Sequence, residues 1–277
     1  MKSFTIGGLL LDSGKITLAG AERVLRLQKE RGMLFGEAAK ALGLVTDKDI
    51  QQVLAQQFDF PFLANTKDGP GLSAELVAAY KPFSEQVETL RAIRSQLMLK
   101  WFSEHRKTLT IVSVENQEGR SFFAANLAIV FSQLGERTLL IDADLRQPRQ
   151  HQLFNLESKQ GLSNLLAGRV DTTVIHKIKG FRDLSVLPAG TIPPNPSELI
   201  GKKFEQLLEQ LSSEYDIILL DTPAHQQGSD SQILSAKAGG ALLLTKQHQS
   251  RLIKIQKLKD LFEDSAIALV GSIINTF

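Results

Sequence analysis

The segment TIVSVENQEGRSFFAANLA, residues 110–128, gives the most specific indication of how the larger part of this chain folds. A β-rich apolar run leads into a short loop, and the loop opens a helix that is rich in alanine. In this arrangement loop amides and the N-terminus of a helix point at an anion, so the segment predicts a phosphate-binding loop. The usual pattern G-x-x-x-x-G-K-[ST] is changed at two positions, because Val114 replaces the first glycine and Arg120 replaces the lysine.

Around this loop, from residue 109 onward, apolar β-rich runs alternate with helical patterns. Near-continuous hydrophobic strands separated by helices specify a mostly parallel sheet flanked by helices. The fold class is therefore α/β, a P-loop NTPase domain, with its ligand at the carboxyl ends of the strands. The predicted strands are LTIVSVE, TLLIDAD, LSVLPAG, DIILLDTP, GALLLTK and ALVGSIIN, and the predicted helices cover 120–134, 196–212, about 230–238 and 250–264.

Three acidic residues stand at the ends of predicted strands. LLIDADLR places Asp142 and Asp144 on the same side of an extended chain, and DIILLDTPA closes on Asp221, in the pattern of an aspartate that holds Mg²⁺. Buried unpaired carboxylates are costly, so these acids predict a Mg²⁺ site or a proton acceptor. The alternative is that they cap loops or pair with Arg146 and Arg149, which accounts less well for all three acids beside a phosphate loop.

Composition excludes several classes of function. The chain has 277 residues with 32 basic and 30 acidic side chains, and this near balance argues against a nucleic-acid partner. The absence of cysteine excludes disulfides, thiolate metal sites and cysteine nucleophiles. No apolar run approaches the roughly 18 residues of a membrane span, and no signal peptide is evident, so we expect a cytoplasmic protein.

The first part of the chain repeats itself, since residues 5–28 align with residues 34–57. Each copy predicts a short helix, a glycine that ends it, and a capped second helix, so we expect a small all-α N-terminal repeat domain. The glycines are Gly14 and Gly43, and the N-caps are Thr17 and Thr46, with Asp49 completing a near capping box in the second copy. A Gly-Pro-Gly turn and a further proline then predict a linker, which gives a repeat domain at 1–64, a linker at 65–83 and a P-loop domain at 84–277.

The P-loop part resembles the bacterial tyrosine kinases, or BY-kinases. ENQEGRS, LLIDADLR and IILLDTP match the family's Walker A, A′ and B motifs, and LPAGTIPPNPSELI matches a further family segment. ETLRAIR matches the family's E-x-x-R-x-x-R oligomerisation motif, with Glu88, Arg91 and Arg94 in the motif positions. The resemblance covers about residues 84–277.

The resemblance implies binding of ATP or ADP with Mg²⁺. Ser121, Asp142 and Asp221 would hold the metal, while Arg120, Asp142 and Asp144 would be catalytic. The nucleotide would lie on Glu115, Asn116, Gln117, Glu118, Gly119, Arg120, Ser121 and Phe122. It also implies a homo-oligomeric ring and a membrane polysaccharide copolymerase whose cytoplasmic segment recruits the protein to the inner membrane face.

The repeat domain resembles the N-terminal domain of type II secretion and pilus ATPases, the family that includes the MshE cyclic-di-GMP sensors. Its combination with a kinase-like domain is similar to EpsG-type chain-length-determinant kinases of exopolysaccharide operons. The basic residue that would stack on a guanine is Thr5 in one copy and Leu34 in the other. We therefore expect protein docking here rather than cyclic-di-GMP binding.

Two departures from the kinase family leave two functions open. The family's tyrosine-rich tail is missing after GSIINTF, and only Tyr80 and Tyr215 are present, so we expect Tyr80 or an external substrate as phosphate acceptor. Arg120 keeps the positive charge but has a larger planar head than lysine, so binding is expected to survive while the chemistry slows. The protein is accordingly predicted to be an ATP-dependent tyrosine kinase or ATPase, and the alternative is a nucleotide-gated scaffold without tyrosine phosphorylation.

Overall fold

The computed structural model describes residues 5–57, 61–63 and 71–276. The chain divides into two compact units, Met1–Phe62 and Leu63–Phe277. Residues 65–70 of the expected linker lie outside the described residues. None of the described helices is both long enough and apolar enough to cross a membrane.

The first unit is built from two similar helix pairs. The left-handed conformation of Gly14 (φ 68°) and Gly43 (φ 64°) follows the first helix of each pair, as the repeat predicts. The side chain of Thr17 accepts from the amide of Gly20 at 3.1 Å, while Thr46 and Asp49 form a reciprocal capping box. The helices are α1 (Ile6–Asp12), α2 (Leu18–Arg31), α3 (Phe35–Ala41) and α4 (Asp47–Gln57).

The second unit is organised around a seven-stranded sheet. Its strand order is β3-β4-β2-β5-β1-β6-β7, and every pairing is parallel except that of β3 with β4. The mostly parallel α/β class predicted from the sequence is confirmed, and β1, β2 and β5 are buried along their whole length. The strands are β1 (Thr108–Val112), β2 (Thr138–Asp142), β3 (His176–Lys177), β4 (Leu184–Leu187), β5 (Ile217–Asp221), β6 (Gly240–Lys246) and β7 (Ala268–Asn275).

Helices cover both faces of this sheet. The helix predicted over 196–212 is wrong as one element, because the extended backbone of Gly201 (φ −109°, ψ −148°) separates a short helix from a longer one. The helices of this unit are α5 (Val77–Tyr80), α6 (Glu85–Lys100), α7 (Arg120–Ser132), α8 (Gln150–Leu153), α9 (Leu162–Leu166), α10 (Pro196–Leu199), α11 (Lys202–Glu214), α12 (Asp230–Ala238) and α13 (Leu252–Asp264).

The described part of the segment expected as a linker packs on the second unit. Ala78 and Ala79 on α5 are fully buried, and the amide of Ala78 donates to Oδ1 of Asn126 at 2.9 Å. Asn126, itself fully buried in α7, donates in turn to the carbonyl oxygen of Glu75 at 3.0 Å. Residues 71–83 therefore contribute buried side chains and hydrogen bonds to the core that carries the P-loop, as an ordered part of the unit.

Candidate nucleotide and metal site

The phosphate-binding loop lies between β1 and α7, at the carboxyl edge of the sheet. Strand β1 ends at Val112 and α7 begins at Arg120, so the segment has the predicted strand–loop–helix arrangement. Gly119 adopts a left-handed conformation (φ 97°) at the N-cap of α7, and Gln117 also has a positive φ of 61°. A Cβ atom on Gly119 would lie 2.5 Å from Nδ2 of Asn275, which explains why glycine is needed here.

A buried acidic side chain fixes the shape of this loop. Glu118 is fully buried, and its Oε2 accepts from the amide of Glu115 at 2.7 Å. Its other carboxylate oxygen accepts from the hydroxyl of Ser250, and its carbonyl accepts from Nδ2 of Asn275 at 3.1 Å. Glu118, predicted to line the nucleotide, thus binds the loop to β7 and to the segment that precedes α13.

Arg120 is held by acceptors at the ends of two neighbouring strands. Its Nε donates to the carbonyl oxygen of Thr222 at 2.8 Å, and its Nη1 donates to the carbonyl oxygen of Glu115 at 2.9 Å. The same Nη1 donates to the hydroxyl of Ser113. Only 8% of the Arg120 side chain is exposed, so its positive charge is fixed beneath the loop.

Asp142 and Asp221 lie side by side because β2 and β5 are adjacent and parallel. Their Cα atoms are paired in register at the last position of both strands, and both residues are fully buried. Asp142 uses Oδ2 to accept from the amides of Arg149 (3.0 Å) and Gln150 (2.9 Å). Asp221 accepts from the side chains of Ser121 and Gln150, the latter at 2.7 Å. Oδ1 of each aspartate has no hydrogen-bond partner among the described residues.

Burial raises the pKa of both acids of this pair. The loss of solvation raises the pKa of Asp142 well above its usual range, and the neighbouring charge of Asp221 adds to this. Burial also raises the pKa of Asp221 to about 6, although the positive charge of Arg120 acts in the opposite direction. Two adjacent carboxyl groups of this kind are stabilised when a cation lies between them.

Asp144 occupies a different position from the other two acids. Its Oδ1 accepts from the amides of Arg146 (3.1 Å) and Gln147 (2.8 Å), which caps the loop after β2. Together with the phosphate loop it lines a cleft of about 550 Å³. The residues that line the cleft are Asn116, Gln117, Gly119, Arg120, Ser121, Asp144, Gln147 and Arg149.

The alternative in which Arg146 and Arg149 neutralise the acids does not hold for their guanidinium groups. Arg146 forms an ion pair with Asp230 at 2.6 Å, and Arg149 pairs with Glu75 at 2.7 Å. Only the main-chain amides of the two arginines reach the acids. Loop capping therefore accounts for the hydrogen bonds of Oδ2 of Asp142, but it provides no partner for Oδ1 among the described residues.

The arrangement fits Mg²⁺ held jointly by the protein and a nucleotide. Among residues 5–57, 61–63 and 71–276, no three His, Asp or Glu side chains form a metal-binding cluster. Mg²⁺ at nucleotide sites is usually bound by one or two carboxylates together with waters and phosphate oxygens, and so does not need such a cluster. The unpartnered Oδ1 atoms of Asp142 and Asp221, with the hydroxyl of Ser121 beside Asp221, are hard oxygen donors of the required type.

The other predicted residues, including the fully buried Asp142 and Asp221, do not line this cleft. The carboxylate of Glu115 forms an ion pair with Lys254, which lowers the pKa of Glu115. Phe122 lines a separate apolar cavity of about 360 Å³ between α6 and β7. On α6, Glu88 pairs with Arg91, and Arg94 donates to the carbonyl oxygen of Val130 in its own chain at 2.7 Å. The oligomerisation role of these three α6 residues stays a prediction.

Sequence reasoning missed Gln150, which forms hydrogen bonds with Asp142, Asp221 and Ser121. It is fully buried, eight positions after Asp142, and its side-chain amide donates to both Asp221 and the carbonyl oxygen of Ser121. No motif points to it, because its side chain reaches Asp221 only through the adjacency of β2 and β5.

Comparisons with known proteins identify the family to which this chain is similar. The model of a family described as an AAA domain matches residues 109–238. The tyrosine-protein kinase YwqD of Bacillus subtilis is 34% identical over 208 residues, which cover 75% of this chain and 88% of the relative. The tyrosine-protein kinase wzc of Salmonella typhimurium is 31% identical over 204 residues, covering 73% of this chain but only 28% of that longer protein.

Among solved structures, the chimerical protein CapA2B2 superimposes with a TM-score of 0.70 at 32% identity. The match covers 84% of this chain and 99% of the chimera. The fold and the loop define a P-loop NTPase. Within that class, the chain belongs to the family of bacterial tyrosine-protein kinases.

Proposed function

We propose that this protein is an ATP-dependent tyrosine kinase or ATPase that regulates exopolysaccharide polymerisation and export. One observation carries the proposal. Asp142 and Asp221 lie side by side beneath the phosphate loop, each with a buried carboxylate oxygen that lacks a partner among the described residues. A purely structural acid pair would be neutralised or hydrogen-bonded, whereas a pair kept for a nucleotide-bound cation needs these oxygens.

In the proposed reaction the phosphates of ATP lie in the cleft beside the loop and the N-terminus of α7. Mg²⁺, when bound, neutralises charge that develops on the transferred phosphoryl group. Ser121, Asp142 and Asp221 hold the metal, and Arg120 provides a fixed positive charge. Asp144 lines the cleft and accepts the proton of the attacking hydroxyl, which is that of a tyrosine or of water. The new bond joins that oxygen to the γ-phosphorus, while the bond from the γ-phosphorus to the β,γ-bridging oxygen breaks and ADP leaves with that oxygen.

The tyrosine that receives the phosphate is proposed to belong to another protein. Tyr80 donates its hydroxyl to the carbonyl oxygen of Leu72 at 2.9 Å, and partial burial raises the pKa of Tyr80. These contacts make it a poorer acceptor than an exposed tyrosine, since the hydroxyl must first leave its partner.

The assembly proposed from the family resemblance is a ring that docks on a membrane polysaccharide copolymerase. The helical repeat unit is proposed to be an MshE-like docking module, as in EpsG-type kinases. Its Leu18, Leu25 and Leu34 expose 76%, 53% and 72% of their surface, which suits protein contact better than a charged dinucleotide.

A second function, the nucleotide-gated scaffold, is favoured by the contacts of Arg120. Its Nε and Nη1 are occupied by Thr222, Ser113 and Glu115. A guanidinium held in this way can bind a phosphate, but it cannot move to stabilise the negative charge that develops in the transition state. Nucleotide binding without turnover is therefore expected, which is how a scaffold would behave.

The experiment that separates these functions measures phosphate release, phosphotyrosine formation and ADP binding with Mg²⁺. The native protein is compared with Arg120→Lys, Asp142→Asn and the exposed control Asp264→Asn. Turnover in the native protein and the control, lost in Asp142→Asn, supports the enzyme. Turnover only in Arg120→Lys, with ADP binding in the native protein, supports the scaffold. No nucleotide binding by any variant refutes both.

A further inference from the structure

Gln150 has the contacts of a residue that organises the metal site. Its main-chain amide donates to Oδ2 of Asp142 at 2.9 Å. Its side-chain Nε2 donates to Oδ2 of Asp221 at 2.7 Å and to the carbonyl oxygen of Ser121 at 3.1 Å. One residue thus connects three elements: its main-chain amide contacts the end of β2, and its side chain contacts the end of β5 and the first turn of α7. These elements provide all three proposed metal ligands.

The remaining polar atom of Gln150 is unusual for a residue that only supports the fold. Its Oε1 is buried and has no hydrogen-bond partner among the described residues. Buried amide oxygens in folded proteins are nearly always paired, because desolvation without a partner is unfavourable. Oδ1 of Asp142 and Oδ1 of Asp221, in the two acids that Gln150 contacts, likewise have no hydrogen-bond partner within the described ranges. These three acceptors belong to residues that are joined to one another by hydrogen bonds, and a cation with its bound water would supply the donors and the charge that they lack.

The donors of Gln150 also restrict where the two aspartates can direct their free oxygens. Each aspartate has one oxygen held by Gln150, so the other oxygen is the one left for a metal. Groups that orient the ligands of a metal in this manner change its affinity without touching it.

We propose that Gln150 is a positioning residue of the Mg²⁺ site, which orients Asp142 and Asp221 through its two donors and accepts from metal-bound water through Oε1. This inference rests on the proposed nucleotide function and adds to it a residue that no motif of the sequence identifies. Gln150 acts through the acids and the water, and it takes no part in the bond that is made or broken.

The test measures how strongly Mg²⁺ tightens the binding of ADP, which does not depend on turnover. Gln150→Leu and Gln150→Met remove the polar head, and Met keeps a similar length in case Leu disturbs packing. Gln152→Leu is the matched control, because Gln152 is exposed on the same short helix. ADP affinity is measured in EDTA and during a Mg²⁺ titration, and the folded state is verified by the fluorescence of Trp101.

We expect both Gln150 variants to bind ADP in EDTA as the native protein does. The Mg²⁺ concentration that gives half of the tightening should rise about 10- to 100-fold, the range found when residues that orient metal ligands are removed. Gln152→Leu should follow the native curve.

Two results would overturn the inference alone. Either the Mg²⁺ titrations of both Gln150 variants coincide with that of the native protein, or ADP binding in EDTA weakens by the same factor as binding with Mg²⁺, which indicates a structural role. If the native protein itself shows no Mg²⁺-dependent binding of ADP, the proposed function is refuted, and the inference about Gln150 is refuted with it.

Discussion

The buried acid pair should make the metal-free protein less stable at neutral pH than a variant that lacks one charge. Burial is the main reason that the pKa of Asp221 is raised from 3.8 to about 6. At about 1.4 kcal/mol per pKa unit, this shift corresponds to about 3 kcal/mol of stability. Asp221→Asn keeps the size of the side chain and removes the charge. We therefore expect it to raise the free energy of unfolding at about pH 8 by about 3 kcal/mol, in the absence of Mg²⁺ and nucleotide.

The sign follows from proton binding. The native state holds a proton on Asp221 more tightly than the unfolded chain does, since the folded pKa is the higher one. The stabilisation is therefore fully present below the unfolded pKa of 3.8 and is lost as the pH rises through about 6. The advantage of Asp221→Asn should accordingly be small at about pH 4 and reach its full size above about pH 7.

Urea unfolding in EDTA, followed by tryptophan fluorescence, measures this directly. Trp101 is the single tryptophan and is 5% exposed in the second unit, so the signal reports on the unit that contains the site. Asp216→Asn is a control with the opposite sign, because hydrogen bonding to Arg137 lowers the pKa of Asp216 and its replacement should destabilise at neutral pH. The reasoning is refuted if Asp221→Asn is no more stable than the native protein at about pH 8.

Two further substitutions test how the loop and its support are built. Gly119→Ala should abolish ADP binding, because its Cβ would lie 2.5 Å from Nδ2 of Asn275. The control Gly135→Ala should retain binding, because Gly135 has a similar φ of 95° but its Cβ would meet no atom within 4 Å. Equal losses of ADP binding in the two variants would contradict this reasoning. Asn126→Ala should lower the free energy of unfolding by about 1–3 kcal/mol, since the buried amide of Ala78 loses its acceptor, and an unchanged urea midpoint would exclude that role.

The sheet was predictable because most of its strands are apolar runs that can be recognised in the local sequence. Strand β6 was predicted at 240–246 and lies at Gly240–Lys246, because its apolar run is buried at every position before Lys246. Strand β3 was not predicted, because two residues at an antiparallel edge form no periodic pattern. The break at Gly201 was missed because the apolar spacing of α11 continues into α10 and hides a change of backbone conformation.

The acids of the site were predictable for a similar local reason, while their partners were not. Asp142 and Asp221 each end a recognisable strand, so their meeting requires only a parallel sheet. The contacts of Gln150 with Asp221 and of Ser250 with Glu118 join residues that are 71 and 132 positions apart. They depend on strand order, which local propensity does not determine.

The contacts of Arg120 show why replacing the usual lysine by arginine need not abolish nucleotide binding. A guanidinium has five N–H donors in a planar fork, whereas an ammonium offers three from one point. Nε and Nη1 supply three of those donors to Thr222, Ser113 and Glu115, and no acceptor for Nη2 is seen in the described part of the chain, so its two protons remain for a phosphate. The single ammonium group of a lysine at this position could not donate to the acceptors at the strand ends and to the nucleotide at the same time. We therefore expect Arg120→Lys to bind ADP more weakly than the native protein, and tighter binding by that variant would show that the anchoring contacts hold Arg120 away from the phosphates.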